Sequence, residues 1–383
     1  MNRWLQVLVT VMCVHAQLPA QSRDSADFDA KAQCGIEYVY NLEFEKAEKE
    51  FGDLVRMRPR HPAGPFFLAM VQWWRILIDI DNEDRDDAFY DALDSVIDMC
   101  DEMLDRNPED GTALFFKGGS IGFKGRLKAH RSEWMGAANA GRKALPIVQQ
   151  ASLLDSTNYD ILLGSGIYNY YAEIIPQEYP FVRPLMLFVP PGDKQRGIQQ
   201  LTIAAEKGKY ASIESMYFLT QIYFVYEKDY PKAFSLAREL HGRFPNNMLF
   251  HKYLGRCHVA MNNWQDADSV FYEIRSRAQE GRRGYTASIE REAEYYLGLN
   301  DMTTHRYESA LQHLYRCDEL SRMLDKDEPS GFMVMTNLKV GMIYDALARR
   351  DLAISQYKKV LGMKQFKDSY KQAEQYLRSP FPQ

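Results

Sequence analysis

A glycine and an alanine twelve positions apart recur along this chain, and they constrain its fold more than any other feature. A large apolar residue follows four positions after the alanine, and the four glycine-containing units are Gly35/Ala47/Phe51, Gly255/Ala267/Phe271, Gly298/Ala310/Leu314 and Gly341/Ala353/Tyr357. The glycine falls midway along one predicted helix and the alanine in the next, so the spacing predicts two antiparallel helices in close contact. One such hairpin cannot bury its apolar face alone, which predicts a stacked array of hairpins.

A fifth unit carries Gln221 at the glycine position and only Ala237 at the large apolar position, and it ends in Pro245, which stops its second helix. Together the five units resemble the tetratricopeptide repeat family, and the step of 34 residues from Gln221 to Gly255 matches the repeat length of that family. The resemblance covers about residues 32–377. It implies an all-α, right-handed superhelical solenoid of antiparallel helix pairs.

The middle of the chain lacks the signature residues, although its apolar periodicity is still that of helices. The further predicted hairpins are residues 65–80 with 88–104, 112–127 with 137–154, and 158–172 with 194–207. Residues 367–377 are predicted to form a capping helix whose outer face can be polar. These patterns do not fix the repeat boundaries between residues 63 and 210.

The first residues predict an export signal. A short basic start precedes an apolar run over residues 4–14, with small residues placed for cleavage after Ala16 or, alternatively, after Ala20. The run is too short to span a bilayer, so the mature chain is predicted to have no transmembrane segment, while peripheral membrane contact stays open. We predict residues 1–16 as signal peptide, 17–29 as a flexible segment and 30–383 as the repeat domain of a periplasmic or envelope-associated protein.

The cysteines and acidic residues predict no metal site and no cofactor. Four cysteines of the predicted mature chain form no Cys-x-x-Cys pair and have no histidine at zinc-ligand spacing, so we predict buried free thiols at Cys34, Cys100, Cys257 and Cys317. The acidic segment 79–87 suggests a calcium loop, but Asp84 stands where that loop needs glycine and Tyr90 where it needs an acid. A solvated turn between two helices is the better interpretation.

Composition and motifs also argue against two classes of function. A net charge of −5 over 383 residues, without a run of Lys and Arg, excludes a broadly basic surface for nucleic acid. Gly164-Ser165-Gly166 lies within a helical pattern and lacks the context of a nucleophile motif. We therefore predict no catalytic residues and a protein that is not an enzyme.

An insert over residues 174–193 is the most unusual stretch, because its five prolines argue against a regular helix while its apolar content is high for a solvated loop. In one interpretation it folds back and caps the groove or core of its own repeats. In the other, Tyr179, Phe181, Leu185 and Phe188 form an exposed patch for a partner or a membrane surface, with Arg183 among them.

Partners of this family often lie in the concave groove formed by the first helix of each pair. Carried over by position, the resemblance implies groove residues Phe218, Ile222, Lys252, Arg256 and Tyr295, together with Ile36, Leu299, Leu338 and Met342. This mixed apolar and basic surface suits an extended peptide or a protein loop.

The leading hypothesis is a monomeric scaffold or adaptor of the bacterial cell envelope, which binds a protein or peptide through the groove, the insert or both. The alternative is a ligand-binding module in which the insert encloses a small apolar molecule. A sizeable closed cavity beneath residues 174–191 favours the alternative, whereas a solid core there counts against it.

Overall fold

The computed structural model describes residues 20–186 and 189–382, and the side chains of residues 24–184 and 189–382. The predicted signal peptide, residues 1–16, and the candidate Phe188 lie outside the described residues. Within the described part every regular element is helical, which confirms the all-α prediction. None of the helices in this part is both long and apolar enough to cross a bilayer.

The helices follow one another as antiparallel neighbours joined by short turns. They are α1 (Ala20–Tyr40), α2 (Phe44–Met57), α3 (Ala63–Leu77), α4 (Asp86–Arg106), α5 (Gly111–His130), α6 (Trp134–Leu154), α7 (Ile161–Glu178), α8 (Arg183–Met186), α9 (Lys194–Lys207), α10 (Ser212–Gln221), α11 (Tyr230–Arg243), α12 (Met248–Ala260), α13 (Trp264–Gln279), α14 (Ala287–Thr303), α15 (Tyr307–Leu324), α16 (Gly331–Ala346), α17 (Arg350–Leu361) and α18 (Ser369–Arg378). A 3₁₀ turn, Pro180–Val182, precedes α8, and a π-helical turn, Ile222–Tyr226, continues α10.

These helices form eight stacked hairpins and a final capping helix, α18. We number the hairpins 1 (α1–α2), 2 (α3–α4), 3 (α5–α6), 4 (α7 with α9), 5 (α10–α11), 6 (α12–α13), 7 (α14–α15) and 8 (α16–α17). The predicted hairpins of the middle region and the acidic turn between α3 and α4 are thus confirmed. The fold is an all-α solenoid of helix pairs of the tetratricopeptide type.

The signature residues explain why the two helices of a hairpin approach so closely. A Cβ atom added to Gly35 would lie 2.3 Å from the ring of Phe51, and one added to Gly341 would lie 2.6 Å from the ring of Tyr357. Only glycine leaves room for these rings, and Phe51 and Tyr357 are both fully buried. In the regular repeats, glycine is therefore a requirement of packing.

The solenoid closes on itself, because hairpins 1 and 2 contact hairpins 5 and 6. The Tyr40 hydroxyl donates to the Glu214 carboxylate at 2.7 Å, and the Asn247 amide donates to the Tyr40 carbonyl at 2.8 Å. The Trp74 ring packs against the ring of Phe250, with centroids 5.9 Å apart. One continuous core spans both regions, so the inner face of the first hairpins is not an open peptide groove.

Two predicted irregular segments are helical instead. Residues 17–29 were expected to be flexible, but α1 begins at Ala20, because Phe28 is buried and the Tyr210 hydroxyl donates to the Asp29 carboxylate at 2.6 Å. The insert also starts later than predicted, since α7 continues through Pro176 to Glu178. Burial of Ile174 stabilises this last turn despite the proline.

The cysteine prediction holds for three of the four residues. Cys100, Cys257 and Cys317 are buried free thiols, whereas Cys34 is exposed. Cys34 belongs to α1, the first helix of the array, and no hairpin of the described chain precedes α1 to cover its outer face. Within the described residues no three His, Cys, Asp or Glu side chains come together as a metal site.

Candidate ligand-binding cavity

A cavity of about 600 Å³ lies inside the closed part of the solenoid. The inner faces of α1, α3, α5, α7 and α10 surround it together with one face of α6, and most of the lining side chains are apolar, aromatic or very small. This volume is within the range of about 300–1,000 Å³ that small-molecule sites occupy. The closure of hairpins 1 and 2 onto hairpin 5 therefore forms a partly open space of the size and polarity of a ligand pocket.

Four glycines in helix interiors line this cavity without serving helix packing: Gly119, Gly122, Gly141 and Gly164. A Cβ atom on Gly122 would meet no described atom within 4 Å, and the nearest contacts of the other three would be 3.5 Å, 3.9 Å and 3.6 Å. Glycine inside a helix costs roughly 0.5–1 kcal/mol relative to alanine. These four glycines destabilise their helices without allowing another helix to approach more closely. Their common feature is the space that they leave open in the cavity.

Other glycines of the same helices do serve packing. A Cβ atom on Gly118 would lie 2.8 Å from the Val148 side chain, and one on Gly125 would lie 2.7 Å from the Ala140 methyl group. Helix α5 therefore has two kinds of glycine, one kind against α6 and the other facing the cavity.

Aromatic rings form much of the remaining wall. The π-helical turn after α10 places Tyr226 against the rings of Tyr170 and Tyr171, with centroids 5.9 Å and 5.8 Å apart. Such π-turns occur frequently at functional sites, because they change the direction in which the following side chains point. Burial raises the pKa of Tyr226 to about 12 and also raises the pKa of Tyr171, so both hydroxyl groups are neutral at physiological pH.

A single ion pair forms the polar end of the cavity. The Arg126 guanidinium lies over the rings of Phe218 and Trp73, 4.2 Å and 4.7 Å from their centroids, and hydrogen-bonds to Glu214. Arg126 and Glu214 expose only 15% and 5% of their side chains. The pair is thus held in a largely apolar environment where its hydrogen bonds are strong.

The insert covers the mouth of the cavity. Tyr179, Val182 and Val189 line it from this side, and Val182 is buried. The insert is fixed to α7, since the Tyr168 hydroxyl donates to the Pro190 carbonyl at 2.6 Å. Gly192 permits this approach, because a Cβ atom there would lie 2.3 Å from the Asn169 carbonyl oxygen. These contacts support the interpretation that the insert caps its own repeats.

Part of the insert is also exposed. The Phe181 ring is 63% exposed and rests on the Trp134 ring, with centroids 5.9 Å apart. Tyr179 is 39% exposed and contacts the same tryptophan at 5.4 Å, so it belongs both to the rim of the cavity and to the surface. Arg183 donates from Nε to the Pro176 carbonyl at 3.0 Å and thereby holds the insert to the end of α7.

The structure does not bring the predicted groove residues together as one surface. Phe218 is buried and faces the cavity, while Ile222 is fully buried in a core cluster with Tyr170 and cannot contact a partner. Ile222 was predicted in the groove because the regular helical period was extended through it, but the π-helical turn begins there.

Three more of the predicted groove residues, Lys252, Arg256 and Tyr295, lie on α12 and α14. Arg256 donates to both carboxylate oxygens of the buried Glu292, and the Tyr295 ring packs against the Phe332 ring at 5.4 Å. Lys252 is half-buried, and burial together with the nearby Arg256 lowers its pKa to about 8. These contacts are internal to the solenoid and leave little of the predicted basic surface free.

Similarity to known proteins is low. No family model matches the sequence, and no curated protein matches it. Among solved structures, the human IFIT1 dimer with m7Gppp-AAAA aligns with 96% of this chain and 87% of its own at 12% identity and a TM-score of 0.43. A monomeric mutant of IFIT1 with Gppp-AAAA aligns with 92% of this chain and 88% of its own at 12% identity and a TM-score of 0.42. The site is therefore defined by its own geometry: an apolar cavity inside a helical-repeat solenoid, with one buried ion pair at its polar end.

Proposed function

We propose that this protein binds a small apolar molecule in the cavity and acts as a binding protein rather than an enzyme. The observation that carries this proposal is the set of four cavity-facing glycines in helix interiors, which leave space that helix packing does not use. The polar residues at the end of the cavity, Arg126 and Glu214, are hydrogen-bonded to each other. We take this pair as a fixed polar group that orients a ligand rather than as a pair of catalytic groups.

The expected affinity is consistent with such a role. Burial of apolar surface is worth about 0.8 kcal/mol per methylene group, so a chain of sixteen carbons gains roughly 12 kcal/mol in gross terms. Loss of translational and rotational freedom offsets about 4–15 kcal/mol of any such gain. A preformed cavity keeps the further ordering cost small, which leaves room for dissociation constants in the micromolar range.

The proposal is tested with N-phenyl-1-naphthylamine, a neutral dye whose fluorescence rises in apolar surroundings. We expect saturable binding to the native protein and at least tenfold weaker binding to Gly122→Leu, because the added side chain enters the cavity. Gly242→Leu is the matched control, since Gly242, like Gly122, is exposed and lies in a helix with open space at its Cβ position, but it is on α11 and does not line the cavity. Absence of saturable binding, or equal binding to all three proteins, would contradict the proposal.

A second function, as a protein-binding scaffold of the bacterial cell envelope, is supported by the exposed Phe181 ring. Phe181→Ser should abolish capture of a specific partner from an envelope extract while dye binding stays at the native level. If a partner is captured equally by both proteins, the insert is not its docking site.

Export to the periplasm or cell envelope is part of the same proposal and is supported by the basic and apolar start of the sequence. We propose a monomer with it. Fractionation of cells that produce the full chain or a chain without residues 1–16 tests it. The full chain should be found outside the cytoplasm and run as a monomer in light scattering, and the shortened chain should stay inside.

A further inference from the structure

We infer that the ligand is a long-chain carboxylic acid, whose acyl chain lies along the glycine-lined wall and whose carboxylate binds at Arg126. This inference rests on the proposed function and adds the chemistry of the ligand's polar end. It comes from the hydrogen-bonding groups at that end of the cavity, where donors outnumber acceptors.

Hydrogen-bond donors outnumber acceptors around Arg126. A guanidinium group has five N–H donors, and only the Nη1 atom of Arg126 has an acceptor among the described residues, the Glu214 carboxylate. Both oxygens of Glu214 are already engaged, one by Arg126 and the other by the Tyr40 hydroxyl. Each Glu214 oxygen thus already accepts one hydrogen bond, and the other N–H donors of Arg126 have no acceptor among the described residues.

Two further donors of the cavity wall lack an acceptor in the described structure. The indole N–H of Trp73 is one, although Trp73 is fully buried and its ring contacts Arg126. The side-chain amide nitrogen of Gln221 is the other, and Gln221 lies three positions after Phe218 and so on the same face of the helix. Neither nitrogen has appreciable accessible surface, so a ligand acceptor meets the partly exposed guanidinium group of Arg126 first and reaches these two donors only if their side chains turn.

A carboxylate matches these groups best. It accepts hydrogen bonds through both oxygens and donates none, and it pairs with the planar guanidinium fork in a bidentate manner. Because Glu214 already balances the single charge of Arg126, a bound carboxylate leaves one negative charge without a partner, whereas a doubly charged phosphate monoester leaves two, so the carboxylate costs less to bury. The apolar wall excludes ligands that are polar along their whole length. A monoanionic headgroup on a long apolar chain accepts hydrogen bonds without donating any, carries only one charge and leaves the rest of the ligand apolar.

The test compares hexadecanoic acid, hexadecan-1-ol and hexadecyl phosphate as competitors that displace the dye from the full-length protein at pH 7.4. We expect the native protein to bind the acid at least tenfold more tightly than the alcohol or the phosphate. In Arg126→Met/Glu214→Gln, both charges are removed together, so no unpaired charge is buried. That variant should lose the preference for the acid, so that the acid and the alcohol bind to it about equally.

A variant that binds the acid more tightly than the native protein would show that Arg126 contacts the headgroup, because a purely structural role of the ion pair predicts only losses. In Glu214→Gln alone, Arg126 keeps its charge while the competing carboxylate is gone, and the new amide still accepts from Tyr40. We expect the acid to bind about three- to tenfold more tightly to this variant, with the alcohol unchanged. Melting curves of all variants confirm that each is folded.

The outcomes distinguish this inference from the proposal on which it rests. Failure of the dye and of every sixteen-carbon compound to bind the native protein would remove the cavity function itself. Equal binding of acid and alcohol, a preference for the phosphate, or an acid preference that survives in the double variant would overturn the carboxylate assignment while the cavity stands.

Discussion

Hairpins 3 and 4 share the architecture of hairpins 7 and 8 but hold, besides packing glycines such as Gly118, a second kind of glycine that faces open space. In hairpins 7 and 8, Cβ atoms on Gly298 and Gly341 would lie 2.8 Å and 2.6 Å from Leu314 and Tyr357, so each glycine is matched by a large partner. In hairpins 3 and 4, Gly122 faces open space. The comparison teaches that glycine in a helical repeat marks either a close contact or a void, and the residue opposite decides which.

The two regions also differ in how their buried polar groups are placed. In hairpins 7 and 8 the buried carboxylates are paired, as where Asp345 accepts from Arg350 at 2.9 Å and from the Tyr357 hydroxyl at 2.8 Å. Around Arg126 the protein supplies donors without acceptors. Hairpins 7 and 8 also hold buried atoms without a partner among the described residues, Arg291 Nε, Ser321 Oγ and Gln356 Oε1, but none of these residues lines the cavity, whereas Trp73 and Gln221 do.

The largest effect is expected where glycine is a packing requirement. Gly341→Ala forces a methyl group against the Tyr357 ring, which is fully buried and whose hydroxyl is held by Asp345. We expect the free energy of unfolding in urea to fall by about 2–3 kcal/mol, the usual cost of overpacking a core. The double variant Gly341→Ala/Tyr357→Leu should recover part of the loss, and a neutral effect of the single variant would remove one side of the comparison.

The second prediction concerns the contact between the first hairpins and hairpin 6, which closes the solenoid. The pKa of Lys252 is lowered to about 8 by burial and by Arg256, while Glu292 and Asp81 oppose the shift. At pH 7 the lysine is charged in both states and its burial costs stability, so Lys252→Met should raise the free energy of unfolding by about 1–2 kcal/mol.

The sign of the pH dependence follows from proton binding. Between pH 8 and the ordinary lysine value near 10.4, the unfolded chain holds the proton and the folded chain does not, so the native protein gains stability as pH rises. The advantage of Lys252→Met should therefore shrink from pH 7 to pH 9.5 in paired melting curves, in which other titrations cancel. An advantage that does not change with pH would mean that Lys252 is solvated and that the solenoid is more open than described.

The sequence predicted the fold but not the closure of the solenoid that shapes the candidate site. The glycine and alanine spacing is local, so it predicts hairpins and their stacking wherever it occurs. Closure of the solenoid depends on contacts such as that between Tyr40 and Glu214, which are 174 positions apart and leave no local pattern. Phe218 was correctly placed on an inner face, yet that face borders a cavity and not an open groove.

One local signal for the cavity was present in the sequence. Helix α5 holds Gly118, Gly119, Gly122 and Gly125 within eight positions, more than a hairpin contact requires, and only two of them pack against α6. Which glycines face a void cannot be read without knowing what stands opposite, and the ion pair of Arg126 with Glu214 joins hairpins 3 and 5 only after closure. The chemistry of the site is therefore a product of tertiary structure.

The smallest expected change in the free energy of unfolding tests the comparison of the two kinds of glycine, because its sign should be opposite to that of Gly341→Ala. Gly122→Ala adds a methyl group that meets no described atom within 4 Å, so the helix gains stability and loses nothing in packing. We expect the free energy of unfolding to rise by about 0.5–1 kcal/mol, opposite in sign to Gly341→Ala. Dye affinity should fall by a small factor, because the methyl group takes part of the cavity. If replacement of Gly122 by alanine makes the protein more stable but weakens its binding of the dye, the glycine is retained for the space that it leaves. Loss of stability in Gly122→Ala would instead mean that this glycine serves the fold, and the argument for a binding cavity would lose its main support.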